Sequence, residues 1–418
     1  MSRLASDYKA NDTYREPPNF SHQYTSYYYT RLCQLRPEIA IPPAWRTTGK
    51  AVARVLDIEQ NQLCWVTGTI TREAAAKPDI MDDLKKMYHG QAPQHASKYT
   101  TPEDKIFIED EHGRIQIVGN APDKDLFITG MVVAVIGSQN ALGEFEMVEI
   151  AYPALAPQVP RSPRNDGGKV AFVSGLLLDD VANEPYGVQL LLEHLAQSPD
   201  ISRLVICGDS LQLQPSHLSG ARMMRPEVQL SSLEELDRLL SALAMLLPVH
   251  LMPGESDPVT IAFPQTPFHP AILQKSRSLL ESGALTLETN PQRFEIDGNV
   301  ILGSSGQPVH DLKRYTSEGD EARLCADGAS LDLELLHKTL RWRHLAPTAP
   351  DTISSYPYIM NDPLVLSELP HVYFTANSPE FATSVKDNVR LIAVPQFRST
   401  GELVVLNLDN LDVDVISF

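Results

Sequence analysis

Residues 204–211 read Leu-Val-Ile-Cys-Gly-Asp-Ser-Leu, and residues 251–257 read Leu-Met-Pro-Gly-Glu-Ser-Asp. Each stretch is a short apolar run that ends in glycine followed closely by a carboxylate. A run of this length and character predicts a strand buried on both faces. The glycine permits a tight turn, and the turn delivers the carboxylate to the end of the strand. One Gly-Asp after a strand is an ordinary turn. Here the design recurs in order: Ser174-Gly175-Leu176-Leu177 follows one strand, Gly303-Ser304-Ser305-Gly306 another, and Ala376-Asn377 a third. Side chains set at neighbouring strand ends are the arrangement on which a pair of divalent metals would be held.

Working outward, apolar strands alternate with helices from residue 169 to residue 418. Strands are expected at 170–174, 203–207, 249–252, 300–302, 372–374, 389–394 and 403–406. Leu-rich helices are expected at 186–197 and 233–247, the second with Ser231 and Glu234 placed as a capping box. This is an α/β layout whose working face lies where the strands end.

Residues 49–153 differ. They alternate with period two at 64–70, 105–108, 115–118, 131–136 and 146–150, separated by turns such as Glu111-His112-Gly113 and Ala141-Leu142-Gly143. A polar, helical stretch is expected at 80–87. About five short strands in ~100 residues predict a small barrel, here an OB-fold. Such barrels bind single-stranded nucleic acid by stacking bases on aromatics above a basic groove. This one has few aromatics and many acids, so a structural role is expected. Residues 154–168, rich in proline and closed by Gly167-Gly168, form a linker. Residues 1–48 are a leader: 1–19 are polar, which points away from order without deciding it. Tyr24, Tyr28, Leu32 and Leu35 share one stripe of an amphipathic helix that docks on the body.

The chain has 418 residues, 43% of them apolar, which is enough for more than one core. No apolar run reaches membrane-spanning length. The four cysteines, Cys33, Cys64, Cys207 and Cys325, form no CxxC pair, which argues against a zinc ribbon or a disulfide framework. Acids outnumber bases 53 to 35, for a net charge of −18. Phosphate binding requires Lys and Arg to release counterions, so intimate contact with DNA by this chain alone is disfavoured.

The order of the strand-end blocks resembles the calcineurin-like metallophosphoesterases, whose ligands fall in D-x-H, G-D-x-x-D, G-N-H-[DE], a lone His, and G-H-x-H. Most ligands are replaced here. Gly175 and Leu177 stand where Asp and His belong. Gly208 and Asp209 are kept, but Gln212 replaces the second Asp. Gly254, Glu255, Ser256 and Asp257 carry Glu and Ser in place of Asn and His. Asn377 lies in a block with neither His, and His310 is a loose candidate for the lone His. Two hard cations need several anionic or imidazole ligands, so no catalytic, metal or cofactor-binding residue is expected. Asp209 and Asp257 are expected to cap turns or bind backbone amides.

A barrel followed by such a domain resembles the B-subunits of the eukaryotic replicative DNA polymerases alpha, epsilon and delta. The likeness rests on residues 170–178 (VAFVSGLLL), 204–211 (LVICGDSL), 252–258 (MPGESDP), 299–307 (NVILGSSGQ) and 370–377 (PHVYFTAN), and on Asp237-Arg238-Leu239-Leu240 before Pro248-Val249. The segment Pro264-Gln265-Thr266-Pro267-Phe268-His269-Pro270 and the leader around Gln23-Tyr24 and residues 29–32 are similar to the delta branch. The fold class implied is α/β (α+β overall): an OB-fold β-barrel (49–153), a linker (154–168) and an inactive metallophosphoesterase-like β-sandwich flanked by helices (169–418). The resemblance also implies a nuclear, non-catalytic scaffold in DNA replication and repair, without cofactors or a membrane. Its implied partners are the C-terminal cysteine-rich domain of the delta catalytic subunit and a third subunit that carries a sliding-clamp motif. The polymerase zeta catalytic subunit is a further partner in the family, and contact with the clamp and DNA is indirect. Two alternatives stand beside this reading: an active metal-dependent phosphodiesterase or nuclease, and a single-stranded-DNA-binding barrel.

Overall fold

The computed structural model describes residues 3–15, 24–78, 96–119, 126–162, 168–179, 186–212, 230–358 and 360–418. The helix expected at 80–87 lies outside these residues, as do 16–23 of the leader and 163–167 of the linker. The described part of the N-terminus, whose order the sequence left open, is ordered. Strand β1 (Tyr8–Ala10) pairs antiparallel with residues 294–296. Polarity did not settle it, because an edge strand is held by backbone bonds and side-chain anchors rather than by apolar burial.

The chain divides into two compact units. One holds residues 18–157 and 308–369. Its barrel comprises β2 (Lys50–Ala51), β3 (Cys64–Glu73), β4 (Lys105–Glu109), β5 (Arg114–Val118), β6 (Val132–Gln139) and β7 (Phe145–Ala151). The sheet runs β2-β3-β4-β5-β7-β6, and β6 closes back onto β3. The closed order 3-4-5-7-6-3 is that of an OB-fold. Long β3 serves both sides of the closure, and a Cβ on its Gly68 would lie 2.5 Å from the Glu109 carbonyl oxygen. Strand β6 is buried on both faces because helix Tyr27–Leu35 covers the outside: Leu32, Leu35, Ile39 and Trp45 pack on Val132, Ala134 and Ile136.

The leader helix docks as expected, with Leu32 and Leu35 of the expected stripe buried and its Tyr24 end exposed. Tyr27, Thr30, Arg31, Leu32 and Leu35 are buried, whereas Tyr24 is 46% exposed. Arg31 sets this face. Its guanidinium is fully buried and donates to Asp362 Oδ2 (2.9 Å), Gly130 O (3.1 Å), Pro347 O (2.7 Å) and Ala349 O (2.7 Å). Arg343 does similar work, donating to Leu366 O and Glu38. These ties hold residues 308–369 to the barrel unit, whereas the sequence placed all of 169–418 in one domain. The described linker residues are packed rather than loose: Ala154 N donates to Glu38 O and Leu369 N to Pro157 O.

The other unit holds residues 1–17, 158–307 and 370–418. Its strands are β8 (Lys169–Val173), β9 (Ile201–Cys207), β10 (Val249–Met252), β11 (Leu285–Leu287), β12 (Gln292–Ile296), β13 (Asn299–Ser304), β14 (Val372–Ser378), β15 (Ala382–Lys386), β16 (Val389–Pro395), β17 (Glu402–Asn407) and β18 (Val413–Ser417). They form two sheets, β1-β12-β13-β14-β16-β15 and β11-β10-β9-β8-β17-β18. Phe172, Val205 and Met252 of one sheet meet Phe294, Ile301 and Phe374 of the other in a shared core. The alternate residues Ala171, Val173, Leu204 and Ile206 face helices Tyr186–Gln197 and Leu230–Leu246. Double-sided burial is why β8 and β9 read as unbroken apolar runs. The architecture is a β-sandwich flanked by helices. The helix expected from residue 233 is already running at Leu230, so Ser231 lies inside its first turn and does not cap it. A capping box forms instead at Ser317 and Asp320.

No described helix is long and apolar enough to cross a membrane. All four cysteines are free thiols.

Candidate functional site

The parallel pairing of β8 with β9 and of β9 with β10 sets their C-terminal ends side by side. At these ends the backbone turns left-handed. After β8 it passes through Gly175 (φ 60°) and Leu177 (φ 45°), and after β9 through Gly208 (φ 89°) and Asp209 (φ 52°). Asn377, near the end of β14, has φ 55°. Left-handed geometry costs a residue with a Cβ roughly 1–2 kcal/mol, so something must hold each turn. Between the first two turns the backbone does so: Gly175 N donates to Gly208 O (3.0 Å) and Leu177 N to Asp209 O (3.1 Å).

Glycine lets the strand ends close on one another. A Cβ on Gly208 would lie 2.4 Å from Ser305 Oγ, and one on Gly254 would lie 2.2 Å from the Asp209 nitrogen. The two carboxylates then lock the turns. Asp257, fully buried, accepts from Ser210 N (3.0 Å) and Leu211 N (3.1 Å) on Oδ1 and from Gly254 N (2.8 Å) on Oδ2. Asp209 Oδ1 accepts from the nitrogen (3.0 Å) and hydroxyl (3.1 Å) of Ser256. Burial, and then the charge of Asp209, push the Asp257 carboxyl up to about 7 against the pull of its three backbone donors.

Beside the carboxylates lies a network of neutral side chains. Asn290 donates to Gln265 (2.7 Å) and Gln307 (2.9 Å), Gln307 donates to Gln265 (3.0 Å), and Gln265 donates to Gly254 O (3.1 Å). Ser305 N donates to Asn290 Oδ1 (3.0 Å), and Asn377 Nδ2 donates to Ser305 O (2.9 Å). The Asn377 nitrogen donates to Ser174 Oγ (3.0 Å). The structure therefore brings together Gly175, Leu177, Gly208, Asp209, Gly254, Ser256, Asp257 and Asn377. Gln212 and Glu255 are exposed at its margin, and His310 lies on helix Gln307–Arg314 of the barrel unit. Sequence reasoning missed Asn290 and saw Gln265 only as part of a segment likeness. Asn290-Pro291 immediately before a strand was the available signal.

The described histidines of this unit serve elsewhere. His250 Nδ1 pairs with Glu288 (3.0 Å), and His371 accepts from Val300 N on Nδ1 (2.9 Å) and donates from Nε2 to Val159 O (2.8 Å). His269 caps a turn through Ala271 N, and His194 bonds Ser198.

Residues 170–383 match the family model for the DNA polymerase alpha/epsilon B-subunit, and residues 23–150 match that of the DNA polymerase delta subunit OB-fold domain. The DNA polymerase delta small subunit of Oryza sativa is 32% identical over 95% of this chain and 93% of its own. That of Saccharomyces cerevisiae is 35% identical over 87% of this chain and 80% of its own. The DNA polymerase delta subunit 2 of Drosophila melanogaster is 31% identical over 96% and 94%. An archaeal phosphodiesterase structure aligns over 60% of this chain and 99% of its own at 12% identity, with a TM-score of 0.31, too slight a likeness to bear on function. Matched along nearly its whole length, the chain belongs to the DNA polymerase delta small-subunit family.

Proposed function

We propose that this protein is a non-catalytic accessory subunit of DNA polymerase delta, acting in the nucleus in DNA replication and repair. The observation that carries the reading is the relationship to delta small subunits across 95% of the chain. In this role it bridges the C-terminal cysteine-rich domain of the catalytic subunit to the third, clamp-binding subunit. The same subunit is shared with the polymerase zeta catalytic subunit, and contact with the clamp and DNA is indirect.

The strand-end chemistry supports the absence of a reaction. A phosphoesterase needs a dimetal centre built from several anionic or imidazole ligands. The described residues here do not fit one. Both oxygens of Asp257 accept backbone N–H groups, Asp209 Oδ1 accepts from Ser256, and the rest of the cluster is glycine, leucine, serine and neutral amide. Residues that ligated metal are, on this reading, replaced by residues that fasten the turns to one another. Two rigid units without a reaction still offer the ~1,000 Å² or more that a stable subunit contact buries.

The test is co-purification of the full chain with the isolated C-terminal domain of a delta catalytic subunit. A stoichiometric complex is expected, and failure to form one overturns the assignment. Separately, phosphodiesterase turnover with added manganese that is lost in Asp209→Asn would overturn the non-catalytic reading while leaving the complex intact.

A further inference from the structure

Arg203 is half-buried on β9, and no carboxylate is in contact with it among the described residues. Its Nε donates to Ser6 Oγ (2.6 Å), its Nη2 to Ser6 O (2.7 Å) and its Nη1 to His250 Nε2 (3.2 Å). Its guanidinium lies over the Tyr8 ring at 5.1 Å. Burial keeps His250 neutral, with Nδ1 turned to Glu288 (3.0 Å). All the hydrogen-bond partners of this cation are therefore neutral. Asp7 and Asp297 act on it only at longer range, and burial pulls it below its ordinary value. A half-buried cation without an anion is costly to keep.

The segment that supplies Ser6 carries a second observation. Nε and Nη2 form one edge of the guanidinium, and both are directed at Ser6. That edge is the one a phosphate takes through two parallel hydrogen bonds. The local sequence is Arg3-Leu4-Ala5-Ser6. An arginine three residues before the acceptor is what serine kinases that select basic substrates read. In the docked arm Arg3 is engaged, donating to the carbonyls of Leu195, Ser198 and Ile201. The arm itself is lightly held. Strand β1 has three residues at a sheet edge, and Leu4, Ala5, Asp7 and Lys9 are exposed. Segments with so little buried apolar contact open locally at low cost.

We propose that Ser6 is a phosphorylation site, modified on the lifted arm by a basic-directed serine kinase, and that Arg203 holds its phosphate when the arm redocks. In the transfer, Ser6 Oγ forms a bond to the γ-phosphorus of ATP and the bond from that phosphorus to the ADP oxygen breaks. The hydroxyl proton passes to the kinase's catalytic base. The product places about two negative charges and three acceptor oxygens beside the unpaired guanidinium. Asp7 opposes this, but it is exposed and screened. Asp297 opposes it from a position where it already accepts from Asp7 N (2.7 Å). The modification therefore latches the arm onto β12 rather than releasing it.

Two preparations of the full chain test this. One is treated with the catalytic subunit of cyclic-AMP-dependent kinase and ATP. The other carries phosphoserine placed at position 6 during translation. Peptide mass spectrometry is expected to find phosphate on Ser6 in the treated chain. Arg3→Ala is expected to be a much poorer substrate although its arm is looser, which accessibility alone would not produce. In the phosphoserine chain, phosphorus NMR is expected to place the phosphate titration at least about half a unit lower than in the same chain in urea, and Arg203→Gln is expected to remove the difference. Hydrogen exchange at the Asp7 and Asp297 amides is expected to slow about 5–30-fold on phosphorylation, but not in Arg203→Gln. Unchanged exchange in β9 and β10 establishes that the variant is folded, and the comparison with urea decides the phosphate contact without any variant. No phosphate on Ser6 after treatment, equal rates for Arg3→Ala, an unshifted titration, or faster exchange at Asp297 after phosphorylation would overturn the proposal.

Discussion

Replacing Arg31 with methionine is expected to destabilise the barrel unit by about 3–5 kcal/mol at pH 8, the usual cost of leaving one half of a buried ion pair. The structure shows where the loss arises. Asp362 is buried and loses the Nε donor at 2.9 Å, keeping His344 Nε2 (2.9 Å) on the same oxygen. The carbonyls of Gly130, Pro347 and Ala349 lose their guanidinium donors. The cost should depend on pH. His344 is pushed down to about 4, first by burial and then by the charge of Arg31. Burial alone would raise Asp362, but His344 and Arg31 hold it well below the usual carboxylate range. In the wild type both groups contribute stability that is present above their unfolded values, near 6.5 and 3.8, and is lost as pH falls. Without Arg31, the pKa of His344 rises and a protonated imidazole becomes the counter-ion of Asp362. That contribution is present at low pH and lost as pH rises through the new value. The variant should therefore lose less at pH 5.5 than at pH 8. Removing both partners, in Arg31→Met/Asp362→Leu, should cost less than the single change. Trp45, Trp65 and Trp342 all lie in this unit, so tryptophan fluorescence during urea unfolding reports on it. A loss below about 1 kcal/mol at pH 8, equal losses at both pH values, or a double variant as costly as the sum of two singles would refute the reasoning.

Three further outcomes are expected. Asp257 is raised from 3.8 to about 7, so its contribution is fully present below pH 3.8 and is lost as pH rises through 7, a span on the order of 4 kcal/mol. Asp257→Asn should therefore look worse at pH 4.5 than at pH 8 by hydrogen exchange at Ser210 and Leu211, and a gap that is flat or grows with pH would contradict this. Gly254→Ala drives a Cβ to 2.2 Å from the Asp209 nitrogen. It should cost about 1–3 kcal/mol and loosen the β9 and β10 turns, seen as faster exchange at Ser256. Deleting residues 1–10 removes β1 and the hydroxyl that Tyr8 donates to buried Glu288. The amides of β12 should then exchange faster, and unchanged rates would mean the N-terminal strand contributes little.

What could be read from the chain follows from local pattern. Doubly buried β8 and β9 appear as apolar runs, and the barrel strands appear as alternation. The glycines at 175, 208 and 254 were legible because no other residue fits where strand ends touch. The strand β1 was not legible, since Tyr8-Lys9-Ala10 has no apolar face and is recruited by an edge some 285 residues away. The leader helix was legible in part: of the stripe Tyr24, Tyr28, Leu32 and Leu35 the two leucines are buried. The burial of Arg31 was not legible, since its partners at Pro347, Ala349 and Asp362 lie more than 300 residues distant.

The strand-end site divides in the same way. The sequence alone set which residue types stand at the ordered turns, Gly175, Leu177, Asp209 and Asp257 among them, and with them the expectation that no dimetal site forms there. Only the tertiary structure decided what the remaining carboxylates do. Asp257 reaches back across 46 residues to the Leu211 nitrogen, and Asn290 joins Gln265 to Gln307. Hydrogen bonds are directional and short-ranged, so such partners exist only once the sheets have set their register. No local pattern in the chain encodes them.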